Sequence, residues 1–207
     1  MAKLFKSEEG FTGLEAAIVL IAFVVVAAVF SYVVLGAGFF TTQKSQEVVY
    51  SSVDMAASSL EVLGDVYGNS TGGENAYMDG IRFVVGLTAG GNSVDFATTN
   101  LVFTNTTSIK DLKNASAISS SSTTVTSTQT EITGEGEYTW GILDIANAEQ
   151  NDALLENQEQ FTIYAYLSPT AVTANERFSL EIKPPMGASY AIKRSAPPKI
   201  EKVNLLN

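Results

Sequence analysis

Few residues in this chain could carry catalytic chemistry, and most of those are carboxylates. The sequence has no Cys and no His, which excludes thiol chemistry, disulfides, zinc fingers and His-based general base catalysis. No Walker loop and no H-E-x-x-H motif occurs. We therefore expect no enzyme activity, no catalytic residue and no cofactor.

One group of carboxylates is dense enough to be considered as a metal site. Two of its members could bind a hard cation such as Ca²⁺ through oxygen ligands. Their spacing matches no known calcium loop, so a solvated acidic surface is the simpler interpretation and no metal site is predicted. The group consists of Asp144, Glu149, Asp152, Glu156 and Glu159.

A second candidate for chemistry is the stretch Gly10-Phe11-Thr12-Gly13-Leu14-Glu15. Thr12 and Glu15 have the spacing of a capping box, in which the Thr caps a helix N-terminus and the Glu reaches back. Cleavage between Gly10 and Phe11 would instead create an α-ammonium group about one helical turn from Glu15. Glu15 could pair with that group in its own chain or in a neighbouring copy, since a carboxylate in apolar surroundings needs a partner. Both roles remain open, and they are compatible.

Residues 16–40 follow directly and are apolar on every face. As a helix this segment would be roughly 37 Å long, more than the roughly 30 Å of a bilayer core. It is too long for the apolar region of a secretory signal peptide. It could be a plain membrane anchor, or a helix that lies first in a membrane and later inside a protein assembly.

The helical pattern continues beyond the apolar segment. Val49, Val53, Ala56, Leu60 and Leu63 recur at helical spacing, and glycines follow from Gly64. We therefore predict a leader over 1–10, one long helix over 11–66 and an outer β domain over 67–207.

From Asp79 onward the hydrophobic period changes to two, and short alternating runs are separated by Gly, Pro and Asn. This pattern predicts an antiparallel β-sandwich, and hence an α+β fold class. Residues 119–128 are almost entirely Ser and Thr; they could form a disordered loop or a Thr-rich strand. Three sequons, at Asn69, Asn105 and Asn114, predict N-glycosylation of an outer surface.

The chain is acidic, with a formal net charge of −10. Such a chain repels phosphate, so nucleic acid is not an expected partner. Lys3 and Lys6 precede the apolar segment, and this small bias favours a cytoplasmic N-terminus with the β domain outside.

The segment Gly10–Glu15 resembles the processing site of type IV pilin-like precursors, which carry a class III signal peptide. The longer stretch GLEAAIVLIAFVVVAAVFSYVVLGAGFFTTQKSQEVV and the tail FTIYAYLSPTAVTANERFSLEIKPPMGASYAIKRSAPPKI closely resemble archaellins, the archaeal flagellins. The resemblance implies a subunit of a rotating motility filament, the archaellum. It also implies cleavage by a prepilin-type peptidase, assembly by a membrane motor, N-linked glycans and an immunoglobulin-like outer domain.

The predicted function is therefore a structural filament subunit, stored in the cytoplasmic membrane and polymerised with copies of itself outside the cell. Alternatives are an archaeal adhesion pilus and a membrane-anchored extracellular binding module. The residues predicted to form the filament core are Ile18, Leu20, Ile21, Phe23, Val26, Phe30 and Val34.

Overall fold

The computed structural model describes residues 5–70, 77–118, 125–147 and 150–206, with the backbone alone described at 5–12, 57 and 117. The chain divides into two compact units, with the boundary between Ser51 and Ser52.

A single helix, α1, extends over Phe5–Ala57 and contains no proline. Ser58 closes its last turn: the backbone N–H and the Oγ hydroxyl both donate to the Asp54 carbonyl oxygen at 2.9 Å. The prediction that this helix would continue through Leu63 to residue 66 is wrong.

Leu60–Asn69 is instead the first strand, β1. Its register with the neighbouring strand shifts between Leu63 and Tyr67, at a bulge where Gly64 has a φ of 73°. The bulge breaks the strict alternation that a strand normally shows. Leu60 and Leu63, which continue the helical spacing, precede this bulge and lie on opposite faces of β1. Strand pairing on both sides of β1 decides the outcome.

The later strands lie close to the alternating runs seen in the sequence. The described elements after β1 are β2 (Tyr77–Met78), β3 (Gly80–Leu87), β4 (Val94–Asp95), β5 (Asn100–Asn105), β6 (Ile109–Ile118), α2 (Val125–Gly134), β7 (Thr139–Ala146), β8 (Leu154–Leu155), β9 (Gln160–Tyr166), β10 (Val172–Thr173), β11 (Arg177–Lys183), β12 (Tyr190–Ser195) and β13 (Val203–Leu206).

Nine of the described strands form one sheet in the order β12-β11-β5-β6-β7-β9-β3-β1-β13. Neighbours are antiparallel except for β6 and β7, which are parallel. Inward side chains of β5 and β11 and those of β3 and β9 belong to one buried cluster. The sheet is therefore folded into two layers around a common core. We call β12-β11-β5-β6 the first layer and β7-β9-β3-β1-β13 the second layer.

The two edges of this sheet approach each other, since Ser195 of β12 and Leu205 of β13 line the same cleft. The core is rich in aromatic residues, and the Phe96 ring lies edge-on to both Phe161, at 5.4 Å between centroids, and Trp140, at 6.3 Å. A long helix followed by a mostly antiparallel β domain confirms the predicted fold class.

The helix α2 lies on the outward side of the second layer. Its Ile132 forms a small cluster with Leu143 and Tyr164, separate from the main core. The suggestion of a Thr-rich strand is wrong from Val125 onward, because these residues form the helix α2. The helix buries Thr128 and Ile132, which are four residues apart and lie on one helical face. Residues 119–124 of that segment lie outside the described residues.

Candidate assembly surface

The outstanding surface of this chain is α1. From Gly13 to Ala56 it is long and apolar enough to cross a membrane, its most apolar window has a mean hydropathy of 3.0, and none of that window is buried inside the structure. A core helix of a soluble protein would be mostly covered by its own fold. This helix is not.

The residues predicted for the filament core are all exposed. The exposed fraction ranges from 52% at Val34 to 71% at Phe23. Transfer of each large apolar side chain out of water is worth roughly 1.5–3 kcal/mol, so about twenty of them amount to tens of kcal/mol. This exceeds the roughly 5–15 kcal/mol by which a domain is stable. The helix therefore requires lipid or other protein around it.

Polar groups at both ends delimit the apolar surface. No charged residue occurs between Glu15 and Lys44, and Lys44 forms an ion pair with Glu47 at 2.7 Å. Near the C-terminal end, the hydroxyls of Thr41 and Thr42 donate to the carbonyl oxygens of Ala37 and Gly38, each at 2.9 Å. Because these hydroxyls are satisfied within the helix, this end can be covered by apolar neighbours without an unpaired donor.

The helix surface also carries a groove of about 460 Å³. Phe30 and Phe39 are its bulky walls, and the small residues Ser31 and Gly38 are part of its lining. Small residues of this kind let another helix approach closely.

The predicted cleavage and capping residues all lie within α1. Because the helix of the intact chain begins at Phe5, Thr12 is not at its N-terminus, so the capping role is wrong for this form of the chain. The side chains of Gly10, Phe11 and Thr12 lie outside the described side chains. Glu15 is exposed and forms no ion pair among the described residues.

The three predicted glycosylation sites differ in their surroundings. Asn69 is half-buried in β1, and its Oδ1 is buried without a hydrogen-bond partner. Asn105 donates from Nδ2 to the Ala171 carbonyl oxygen at 2.9 Å, while its Oδ1 accepts from the backbone of Thr107 and Ser108. It therefore holds a turn.

Asn114 is the exposed member of the set, although its Nδ2 lies 3.3 Å from the Phe96 carbonyl oxygen. Its Oδ1 accepts from the Ser116 N–H at 2.8 Å, and Ser116 has a φ of 52°. This sequon lies at an irregularity of β6 that makes it more accessible than the other two.

Two of the carboxylates considered for Ca²⁺, Asp152 and Glu159, stabilise turns instead. Asp152 Oδ1 accepts from the Leu154 N–H, and Glu159 Oε2 accepts from the Glu156 N–H, each at 2.9 Å. Within the described residues, no three acidic side chains come together as a metal site. Glu149 lies outside the described residues.

One hydrolase-like signature is present in the sequence, because residues 68–72 have the form G-x-S-x-G. Its central residue, Ser70, is buried, and the chain contains no His to act as its base. Ser70 therefore has no His partner for Ser-His catalysis.

A cleft of about 720 Å³ in the β domain is organised around Glu176. Thr106 Oγ1 donates to its Oε1 at 3.0 Å, and both the N–H and Oγ1 of Thr173 donate to its Oε2. Burial alone would raise the pKa of the Glu176 carboxyl, but these hydrogen bonds outweigh it and lower the pKa. The carboxylate joins the loop after β5 to the turn after β10.

An exposed apolar helix joined to a β domain defines the structural class of this chain. It is the arrangement expected of the type IV pilin-like subunits that the sequence resembles. The archaeal-type flagellin family model matches residues 10–194. The chain belongs to this family.

Individual relatives support this family membership. The chain is 39% identical over 209 aligned positions to "Probable flagellin 1" of Archaeoglobus fulgidus, covering 99% of this chain and 98% of that protein. It is 36% identical to "Probable flagellin 1" of Aeropyrum pernix, covering 93% and 94% of the two chains.

Among solved structures, the archaeal flagellum of Methanospirillum hungatei strain JF1 matches with a TM-score of 0.67 and 33% identity, covering 94% of this chain and 99% of that one. The crystal structure of an archaeal flagellin from Methanocaldococcus jannaschii shares the fold, with a TM-score of 0.57 at 14% identity over 71% of this chain and 95% of that one.

Proposed function

We propose that this chain is the repeating structural subunit of an archaeal motility filament, in which α1 forms the interior and the β domain the outer surface. The observation that carries the proposal is the bare helix surface between Gly13 and Ala56. Family membership and the similarity to a flagellum subunit over nearly the whole chain support it.

The membrane holds the subunit before assembly. In lipid the apolar surface of α1 is fully satisfied, and in a bundle of identical helices it exchanges lipid contacts for side-chain contacts with little net hydrophobic gain. Passage through water would expose the same surface at a cost of tens of kcal/mol. Subunits therefore move directly from membrane to filament, driven by a membrane assembly motor.

Processing releases the assembly-competent form. A prepilin-type peptidase cuts between Gly10 and Phe11, so that Phe11 becomes the first residue of a helix that already extends through this point. The new α-ammonium group lies within reach of Glu15, in the same chain or a neighbouring one. This pairing neutralises a carboxylate that otherwise enters apolar surroundings alone.

Two experiments test these steps. Cells carrying this chain as their filament subunit should swim and shed long fibres, and deletion of the gene should abolish swimming; loss of surface attachment with normal swimming would contradict the proposal and indicate an adhesion pilus. For processing, intact-mass measurement should show Phe11 as the first residue of the wild-type chain and a retained leader in Gly10→Val.

A further inference from the structure

The charges of the β domain are strongly segregated along the sequence. No Lys or Arg occurs between Lys113 and Arg177, and residues 131–159 contain eight acidic residues. Residues 177–202 contain six basic residues and two acidic ones. The fold places these two segments on different surfaces.

The basic segment forms a groove on the outward side of the first layer. Along β11, Phe178, Leu180 and Ile182 are buried, so Arg177 and Ser179 point outward. Ser179 is in register with Lys193 of β12, which places Lys193 on the same outward face. Arg194 is in register with the inward-facing Phe178, so it starts from the opposite face of the edge strand β12 and is half-buried. It lines the same groove of about 450 Å³ as Arg177 and Lys193.

The cations of this groove have no acidic partner. Among the described residues, the ion pairs join Lys44 to Glu47, Lys183 to Glu181, and Lys199 to Glu201. Among the described residues, the Arg194 guanidinium donates to the Lys193 carbonyl oxygen, and its Nε is buried without a hydrogen-bond partner. Glu176, adjacent to Arg177 in sequence, accepts hydrogen bonds from threonines instead.

The acidic segment lies on the outward side of the second layer. Ile132 attaches α2 to that side, and Glu131 and Glu135 at the end of α2 are exposed. Asp144 is in register with Thr162 on the outward face of β7 and is also exposed. The guanidinium of Arg82, which also lies on this side, is 5.6 Å from the centroid of the Tyr67 ring.

We propose that the groove formed by Arg177, Lys193 and Arg194 receives the surface formed by Glu131, Glu135 and Asp144 of the next copy in the filament. Opposite charges on opposite layers favour a head-to-tail contact, which does not close on itself and so propagates along a fibre. A symmetric contact would bring like charges together and is disfavoured. The contact sets the register of the outer domains, while the apolar helices supply most of the cohesion.

This inference rests on the proposed function, because it requires a polymer. Its test is a charge swap in filaments of the full-length chain, expressed as the sole filament subunit. Arg177→Glu with Lys193→Glu should reduce the number of filaments per cell by about tenfold, corresponding to about 1.4 kcal/mol lost per contact. Adding Glu131→Lys, Glu135→Lys and Asp144→Lys to the same chain should restore the number.

The matched control is Lys183→Glu with Lys202→Glu, which changes the net charge equally in the same part of the chain but outside the groove. It should assemble normally. Wild-type filaments should also dissociate at a lower temperature as salt rises, and the groove variant should lose this salt dependence. Should the groove variant fold poorly, Arg177→Gln with Lys193→Gln gives the same comparison without introducing repulsion.

The outcomes separate the two proposals. Absence of any wild-type filament would contradict the proposed function itself. Wild-type filaments that form normally, with the groove variant indistinguishable from the control, would overturn the docking contact and leave the filament function intact.

Discussion

The phenol of Tyr164 occupies the space that a side chain at Gly80 would need: a Cβ built on Gly80 would overlap the Tyr164 hydroxyl. Gly80 and Tyr166 are cross-strand partners in β3 and β9, and Tyr164 lies fully buried between the second layer and α2. Tyr164 belongs to the same buried cluster as Ile132 of α2 and so joins α2 to the sheet.

Gly80→Ala should therefore lower the free energy of unfolding of the β domain by about 1–3 kcal/mol, since a methyl group must displace a packed ring. Thermal unfolding followed by near-ultraviolet circular dichroism would measure it. The control is Gly134→Ala, where an added Cβ meets nothing within 4 Å. Equal stability of the two variants would contradict the packing described.

Tyr164 should also make the β domain sensitive to alkali. Burial, reinforced by the charge of Asp79 and opposed by the Gln129 side chain, raises the pKa of Tyr164 to about 12 from its usual 10.0. Below pH 10 the Tyr164 phenol keeps its proton in both the folded and the unfolded chain. Between pH 10 and 12 it keeps the proton only in the folded chain, so the free energy of unfolding falls as the pH rises. The loss attributable to this group reaches about 2–3 kcal/mol above pH 12.

Urea denaturation at several pH values from neutral to strongly alkaline would show this loss, and Tyr164→Phe should lack the part that belongs to Tyr164. The comparison is needed because burial also raises the pKa of Tyr166. If the free energy of unfolding changed with pH in the same way in the wild-type protein and in Tyr164→Phe, the attribution of this loss to Tyr164 would be contradicted.

Glu176 should make the β domain less stable in acid, whereas Tyr164 makes it less stable in alkali. Its pKa lies below the ordinary value of 4.5, so its contribution to stability is fully present above that pH and is lost as the pH falls through the lowered pKa. Glu176→Gln should weaken the acid dependence of unfolding and loosen the loop at Thr106. Amide hydrogen exchange would report the loop, and Glu156→Gln, an exposed carboxylate whose side chain accepts no described hydrogen bond, should change neither.

A charge in the apolar surface of α1 should abolish assembly without unfolding the β domain. Phe30 and Ile109 are matched in exposure, at 70% and 71%, but lie on α1 and on β6. Phe30→Lys places a cation where lipid or neighbouring helices must lie, at about 3 kcal/mol or more. Electron microscopy should find no filaments for Phe30→Lys and normal filaments for Ile109→Lys; filaments from both would contradict the assembly surface.

Glycan occupancy should follow accessibility. Asn114 is exposed, whereas Asn105 is half-buried and its side chain holds a turn between β5 and β6. We expect glycopeptide mass spectrometry of the native filament to find Asn114 modified and Asn105 unmodified. Asn105→Gln should lower stability with no change in subunit glycan mass, while Asn114→Gln should remove glycan mass; the reverse pattern would contradict this ranking.

Much of the fold follows from patterns that act locally. The uniform apolarity of residues 16–40 specifies a helix that must be covered, and strict alternation in β3, β9 and β11 places their inward residues correctly. The prediction for the end of α1 is wrong because Leu60 and Leu63, three residues apart, continue the helical spacing although they lie on opposite faces of β1. Pairing with β3 and β13 involves residues far away in sequence, so the local pattern could not reveal it.

The candidate sites divide in the same way. The assembly surface depends on composition along one helix and is visible in the sequence. The basic groove depends on register between β11 and β12 and on the unpaired state of Arg194, which only the fold establishes. The structural roles of Asn105 and Glu176 likewise depend on contacts between loops about 70 residues apart.

The most direct measurement is a cryo-electron microscopy reconstruction of filaments shed by cells that express this chain. The account predicts that the helices from Leu14 to Met55 pack side by side around the filament axis, with Phe11 as the first ordered residue and the β domains outside. A reconstruction in which each helix lies against its own β domain, away from sister helices, would contradict it.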